Sequence, residues 1–252
     1  MNLLLVNDDG ISSPGLYALA GALSRSYAVT VAAPDQNRSA IGHGVTLRSP
    51  LFAHRADYPH GVTAWGVSGT PADCTRLGLL NFAPAPVDLV ISGPNSGCNL
   101  AYDLPYSGTV AAALEAAMMG VKAIALSAPI GADDQQTIQT FLCIFDLLDL
   151  ENDFDQVLNI NIPNLPITEI KGLRWAPLGC NRWEGEYVER DSPEHSSEGE
   201  LVRVFMPPAH PPVLTPGGPD DWNSLNDGYI TLTPLSFRQQ QSLEGRREIP
   251  WQ

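Results

Sequence analysis

The chain has 252 residues, 44% hydrophobic and 17% charged, which is enough apolar material for a core and excludes a disordered acidic tail. Its 28 acidic against 14 basic side chains give a net charge of −14. That balance excludes a binder that works by covering nucleic-acid phosphates and a protein that docks on anionic lipid.

The first eight residues, Met1 to Asp8, lack a basic n-region and contain only a short apolar run, so they do not read as a signal peptide. Leu3-Leu4-Leu5-Val6 reads as a strand buried on both faces. Asp8-Asp9-Gly10 breaks it. Ser12 or Ser13 can cap a helix whose first turn holds Pro14, with Leu16, Leu19, Ala20 and Leu23 at helical spacing. Val29 to Ala33 is the next strand, so the start is a βαβ unit with a right-handed crossover. The alternation continues with a strand over 62–67, a helix over 71–80 and a strand over 88–92. A helix capped by Ser107 then runs through Met119. A strand over 122–127, a helix over 134–150 and a last core strand over 157–162 follow. The pattern predicts an α/β fold, a Rossmann-like, doubly wound and mostly parallel sheet. The nearest approach to an apolar span, Val110 to Ala128, is broken by Glu115, Gly120 and Lys122, which argues against a membrane helix.

After Pro163 the composition shifts to Pro, Gly, Glu and Trp. Apparent strands over 201–206 and 229–233 have no helix predicted between them. The predicted organisation is a catalytic core over 1–163 and a β-rich extension over 164–252 that completes the core and mediates oligomerisation. A loop is expected over 207–219 and a polar tail after Phe237. Charge divides in the same way. Residues 1–130 hold 6 basic and 8 acidic side chains, a net of −2, and residues 131–252 hold 8 and 20, a net of −12. The four cysteines (74, 98, 143 and 180) show no CxxC pair and no zinc spacing, and read as reduced thiols of a cytoplasmic protein.

Ligands of open parallel sheets collect outside the carboxyl ends of the strands. Three polar segments fall there: Asn7 to Gly10, Ala33 to Ser39, and Gly93 to Asn99. In a strand, Asp8 and Asp9 would point to opposite faces; in a turn opened by Gly10 they can converge. Converging carboxylates repel unless a cation lies between them. The oxygen donors on offer favour Mg²⁺, Mn²⁺ or Ca²⁺ over zinc. Asp-Gly is also an ordinary turn signal. Gly93 to Asn99 and the helix start at Ser107-Gly108-Thr109 suggest a phosphate cradle of backbone amides, or equally a plain loop with a serine cap. His43 can contact phosphate or protonate a leaving group, and Arg38 can pair with phosphate; both also fit an unremarkable surface role. Trp65, Trp175, Trp183 and Trp222 read as packing residues, though one at a cleft edge can stack on a base. No Gly-x-Ser-x-Gly elbow occurs, which disfavours acyl chemistry.

Leu5-Val6-Asn7-Asp8-Asp9-Gly10, Ala33-Pro34-Asp35…Arg38-Ser39-Ala40, Ser68-Gly69-Thr70-Pro71-Ala72-Asp73-Cys74, Ser92-Gly93…Asn95…Gly97…Asn99, Tyr106-Ser107-Gly108-Thr109-Val110 and Gly228-Tyr229-Ile230…Thr233-Pro234-Leu235 together resemble the SurE family of stationary-phase survival proteins. The likeness runs in order from residue 1 to about 235. It implies a metal-dependent phosphatase of nucleoside 5′- and 3′-monophosphates, with short polyphosphate a further substrate in some members. It implies metal ligands at Asp8, Asp9, Ser39 and Asn95; one divalent cation per subunit, Mg²⁺ or Mn²⁺, is expected there, with Asp8 or Asp9 as the base that takes a water's proton. Phosphate would be held by Gly97, Asn99, Ser107, Gly108 and Thr109. It also implies a homodimer or homotetramer that exchanges C-terminal elements. The sequence departs from the family at Pro94 and Ser96, and around Arg190-Asp191-Ser192-Pro193, where a longer Asp-Pro-Arg-Gly-like stretch is expected. Two rivals remain on the same fold: a nucleotide- or anion-sensing module, and a metal-dependent glycosyltransferase.

Overall fold

Leu3 and Leu5 pack on one face of a sheet and Leu4 and Val6 on the other, all four buried, which is why the first strand is an unbroken apolar run. The computed structural model describes residues 1–84, 86–180, 186–190, 203–206 and 218–237. The elements are β1 (Asn2–Val6), α1 (Pro14–Leu23), β2 (Ala28–Pro34), β3 (Ala53–Ala56), β4 (Thr63–Val67), α2 (Pro71–Leu77), β5 (Leu89–Ser96), α3 (Gly108–Met118), β6 (Ala123–Ala128), α4 (Asp134–Phe145), β7 (Val157–Asn161), β8 (Leu173–Trp175), β9 (Val188–Arg190), β10 (Val204–Met206), α5 (Asp221–Asn226) and β11 (Ile230–Leu235). The described residues form a nine-stranded sheet in the order β3-β4-β2-β1-β5-β6-β7-β11-β8, and a separate β9–β10 pair.

The six strands from β4 to β7 in that order run parallel, whereas β3 is antiparallel to β4 and β11 to β7. The helices α1 and α4 cover the Leu3 face, and α2 and α3 cover the Leu4 face. The fold is therefore the expected α/β class. The chain leaves β1 towards β2 on one side and returns to β5 on the other, so β1 and β5 flank the point where strand order reverses. That is where a doubly wound sheet opens a crevice for ligands.

Several elements differ from the sequence-based expectation. Of the two serines before α1, Ser13 is the cap. The helix expected over 71–80 ends at Leu77 and widens into a π-type turn over Gly78–Phe82; a side chain at Gly78 would fall 2.6 Å from Leu4 Cδ2. The helix expected to reach Leu150 stops at Phe145. Beyond it, the Asp149 side chain accepts from the Glu151 and Asn152 amides, and such a local Asx turn competes with helix. A helix, α5, stands between the late strands where none is expected; Asp220 caps it by accepting from Asn223 N–H at 2.7 Å. The strand over 157–162 is not the last of the core, because β11 extends the same sheet. Of the strand expected over 201–206, residues 204–206 are strand, while Leu201 and Val202 lie outside the described residues. So do Trp183, most of the 207–219 loop, the tail after Phe237, and Asp191 to Pro193.

Candidate metal and substrate site

The turn after β1 is closed by Asn7, which is fully buried. Its carboxamide donates to the Gly10 carbonyl and accepts from the Gly10 N–H, both at 3.1 Å. Gly10 takes φ of +104° and lies against the backbone of Gln36, a conformation open to glycine. The turn carries Asp8 and Asp9 past the sheet edge. Asp8 is 3% exposed. It accepts a 2.6 Å bond from the Thr109 hydroxyl, and the Thr109 backbone N–H is also turned on it. A carboxylate at the start of α3 meets the positive end of the helix. Close approach requires Gly108, where a Cβ would fall 2.8 Å from Asp8 Cβ and 3.1 Å from Pro71 Cγ.

Burial lifts the Asp8 carboxyl above its ordinary value; the Thr109 hydroxyl opposes the lift and the Asp9 charge adds to it. Burial also lifts Asp9, against the pull of the Ser96 amide and with the push of Asp134. Asp134 is itself raised, first by burial and then by Asp133. Asp9 is more open than Asp8 and accepts from Asn37 Nδ2 at 3.3 Å and Ser96 N–H at 3.4 Å.

A cavity of about 280 Å³ is lined by Asp8, Ser39, Asn95 and Asn99, with Cys98, Asp103, Tyr106 and Ser107 among its other walls. A second of about 450 Å³ adjoins it through Ser96 and is lined by Asp9, Asn37 and Asp134. The structure thus brings together Asp8, Ser39 and Asn95, with Asp9 next door. Asn95 Nδ2 donates to the Gly97 carbonyl at 2.7 Å, which leaves its amide oxygen as the free lone-pair group. Among the described residues no group of three or more His, Cys, Asp or Glu is placed to hold a metal. A cation here would rest on two carboxylates and neutral oxygens. That donor set is all oxygen, which fits Mg²⁺ or Mn²⁺, and a cation would relieve two desolvated neighbouring acids.

Most donors expected to cradle a phosphate are already engaged within the protein. The Gly97 N–H donates to the Ala128 carbonyl and the Ser107 N–H to that of Leu104. The Asn99 N–H donates to Asn161 Oδ1, and the Asn99 side chain to Ser127 Oγ. The Thr109 side chain and amide serve Asp8. Ser107 Oγ caps α3 by accepting from Val110 N–H. The amides of Cys98 and Gly108 are not among these engaged donors.

His43 does not line either cavity. Its Nε2 lies 2.8 Å from Glu115 Oε2, and Arg76 approaches the other Glu115 oxygen at 3.2 Å. Arg38 donates from its guanidinium to the Ser68 carbonyl and from its backbone to the Asp8 carbonyl, so its side chain is turned from the cavity. Trp65 packs on Phe82, with ring centroids 4.7 Å apart. The role sequence reasoning missed is that of loop anchors. Glu115 holds His43. Asp73 accepts from the Thr46 amide and hydroxyl, and the Gly44 carbonyl accepts from the Thr70 hydroxyl. Together they pin the 38–46 loop that presents Ser39. Burial alone would raise Asp73, but the bonds it accepts from Thr46 and from the Thr70 N–H bring it below its ordinary value.

The fold and site define a doubly wound α/β protein with an acidic, oxygen-rich cleft at its topological switch point. The family model described as "Survival protein SurE" matches residues 3–185. A protein of Carboxydothermus hydrogenoformans named 5'-nucleotidase SurE is 43% identical over 249 residues, covering 94% of this chain and 90% of its own length. One of the same name from Desulfatibacillum aliphaticivorans is 42% identical over 244 residues, covering 93% and 92%. The crystal structure of the SurE protein from Aquifex aeolicus superposes with a TM-score of 0.76 at 32% identity, covering 95% of each chain. The chain belongs to the SurE family.

Proposed function

We propose that the protein is a divalent-metal-dependent phosphatase that cleaves nucleoside 5′- and 3′-monophosphates to nucleoside and phosphate. The observation behind this is the pair Asp8 and Asp9 past the end of β1, Asp8 sharing a cavity with Ser39 and Asn95 and Asp9 lining the adjoining one, in a chain whose relatives are named 5'-nucleotidases. Asp8, Asp9, Ser39 and Asn95 would hold the cation. A divalent cation, when bound, supplies positive charge against phosphoryl oxygens and makes nearby water more acidic.

The chain's own residues do the rest. The Thr109 hydroxyl holds Asp8 through Oδ1, and Asp8 would present its carboxylate to a bound cation. Asp9, the more open carboxylate with two long hydrogen bonds, is placed to take the proton of an attacking water. The Cys98 and Gly108 amides and the start of α3 favour the charge that builds on the phosphoryl oxygens. Asn7, Glu115 and Asp73 keep the two loops in register. We further place the protein in the cytoplasm, on a sequence with no CxxC pair and no zinc spacing among its cysteines, and read it as a homodimer or homotetramer built through residues 164–252.

The test is phosphate release from AMP with Mg²⁺ or Mn²⁺. Release that stops on adding a chelator and returns with the ion supports the reading. No release from a panel of nucleotides, or release indifferent to a chelator, overturns it.

A further inference from the structure

We infer that the substrate's nucleobase stacks on Tyr106, an inference that rests on the phosphatase reading above. Among the described residues lining the Asp8 cavity there is no Lys, Arg or His. Arg38 is held on the Ser68 carbonyl and His43 on Glu115. Most amides of the two loops are committed within the protein. The site can therefore grip a phosphate through a cation and a few donors, but its described lining offers no basic side chain to the remainder of a nucleotide.

Tyr106 is the one aromatic residue among those described in the wall of that cavity. Its side chain is open, the residue being 65% exposed. Its backbone is not. It closes a 3₁₀ turn over Ala101–Tyr106, its carbonyl accepts the Gly42 N–H at 2.9 Å, and the next residue caps α3. Gly42 packs so close that a Cβ there would fall 3.0 Å from the Pro105 carbonyl oxygen. An aromatic ring fixed at its root and open on its face is pre-organised, so a stacked ligand orders little on binding. Among the described tryptophans none competes for this role: Trp65 is already stacked on Phe82, Trp175 sits on β8 at the far edge of the sheet, and Trp222 lies in α5 and does not line the cavity. Every base has a π-face, so a stacking platform accepts purines and pyrimidines alike.

The experiment compares kcat/KM for AMP with that for ribose 5-phosphate, which lacks the base, in the wild type, Tyr106→Ala and Tyr106→Phe, all with Mn²⁺. The expected result is a preference for AMP that falls roughly tenfold in Tyr106→Ala, through KM, and is kept in Tyr106→Phe. A preference unchanged in Tyr106→Ala overturns the inference even if both rates fall, because the residue then serves the fold or another subunit. Equal loss in Tyr106→Phe also overturns it, since the hydroxyl and not the ring would be responsible. A wild type that cleaves both compounds equally well removes the stacking role and leaves the phosphatase reading standing. A wild type that cleaves neither removes both.

Discussion

Asp8 and Asp9 are neighbours in sequence but not in environment. Asp8 is buried under Thr109, while Asp9 stands half open between Asn37 and Ser96. Asp9→Asn keeps the shape and removes the charge. It should cost about 100-fold or more in kcat while the thermal midpoint stays within a few degrees; phosphate release and a melting curve check the two halves. Gly108→Ala is a second residue-scale test. Alanine is the better helix former, yet its methyl would meet Asp8 and Pro71. Activity should fall at least about tenfold, since an ångström of misplacement at a site can cost more than that. A variant with full turnover would show that α3 can shift without disturbing Asp8. The pair of aspartates was legible from the sequence because Gly10 marks a turn at a strand end. The task of Thr109 was not, because its partner Asp8 lies 101 positions away and meets it only once α3 docks on β5 and β6.

The 38–46 loop is an element without regular structure, and its order comes from carboxylates on its neighbours. Glu115→Gln keeps a polar group for His43 and Arg76 but drops the charge. Weakened anchoring should loosen Ser39 and reduce Mn²⁺ affinity by about tenfold, the usual scale for groups behind a ligand; calorimetry or Mn²⁺ spin resonance measures it without reference to turnover. Asp73 gives a pH test. Its folded pKa lies below its ordinary value of 3.8, so its stabilising contribution is full above that value and is lost as pH falls through the lowered one. Asp73→Asn should be less stable at neutral pH and show a shallower acid limb in a denaturation series. Strong elements were readable: β1 carries an unbroken apolar run, and β2, β5 and β6 are mostly apolar and buried along their length. Weak ones were not. Nothing in Ala53 to Ala56 alternates, because β3 is a largely exposed edge strand, and α4 ends where Asp149 competes for backbone amides rather than at a Pro or Gly.

Across the whole molecule, the surplus of −14 sits mainly after residue 130, so an anionic substrate approaches the half of the chain that is nearly neutral. The thiols sort the same way by depth. Burial raises Cys74 well above its usual range and pushes Cys98 up to about 12, whereas Cys143 and Cys180 are exposed. Brief alkylation at about pH 8 should label the exposed pair first, because the thiolate is the reactive form; mass spectrometry of peptides reads the order. The parallel core was legible because each strand announces itself locally. The place of β11, antiparallel to β7 and parallel to β8, was not, since nothing near Ile230 names a partner about seventy positions back. That arrangement bears on synthesis. Every residue assigned to the cleft has left the ribosome long before β11, yet β7 keeps a bare edge and β8 has no partner in the sheet until residues 230–235 arrive. A premature stop codon anywhere between β8 and β11 would release a chain with its chemistry complete and a buried-type strand laid open. Unpaired edges of that kind recruit other chains, so such a truncation would be lost to aggregation rather than accumulate as a folded, slower enzyme.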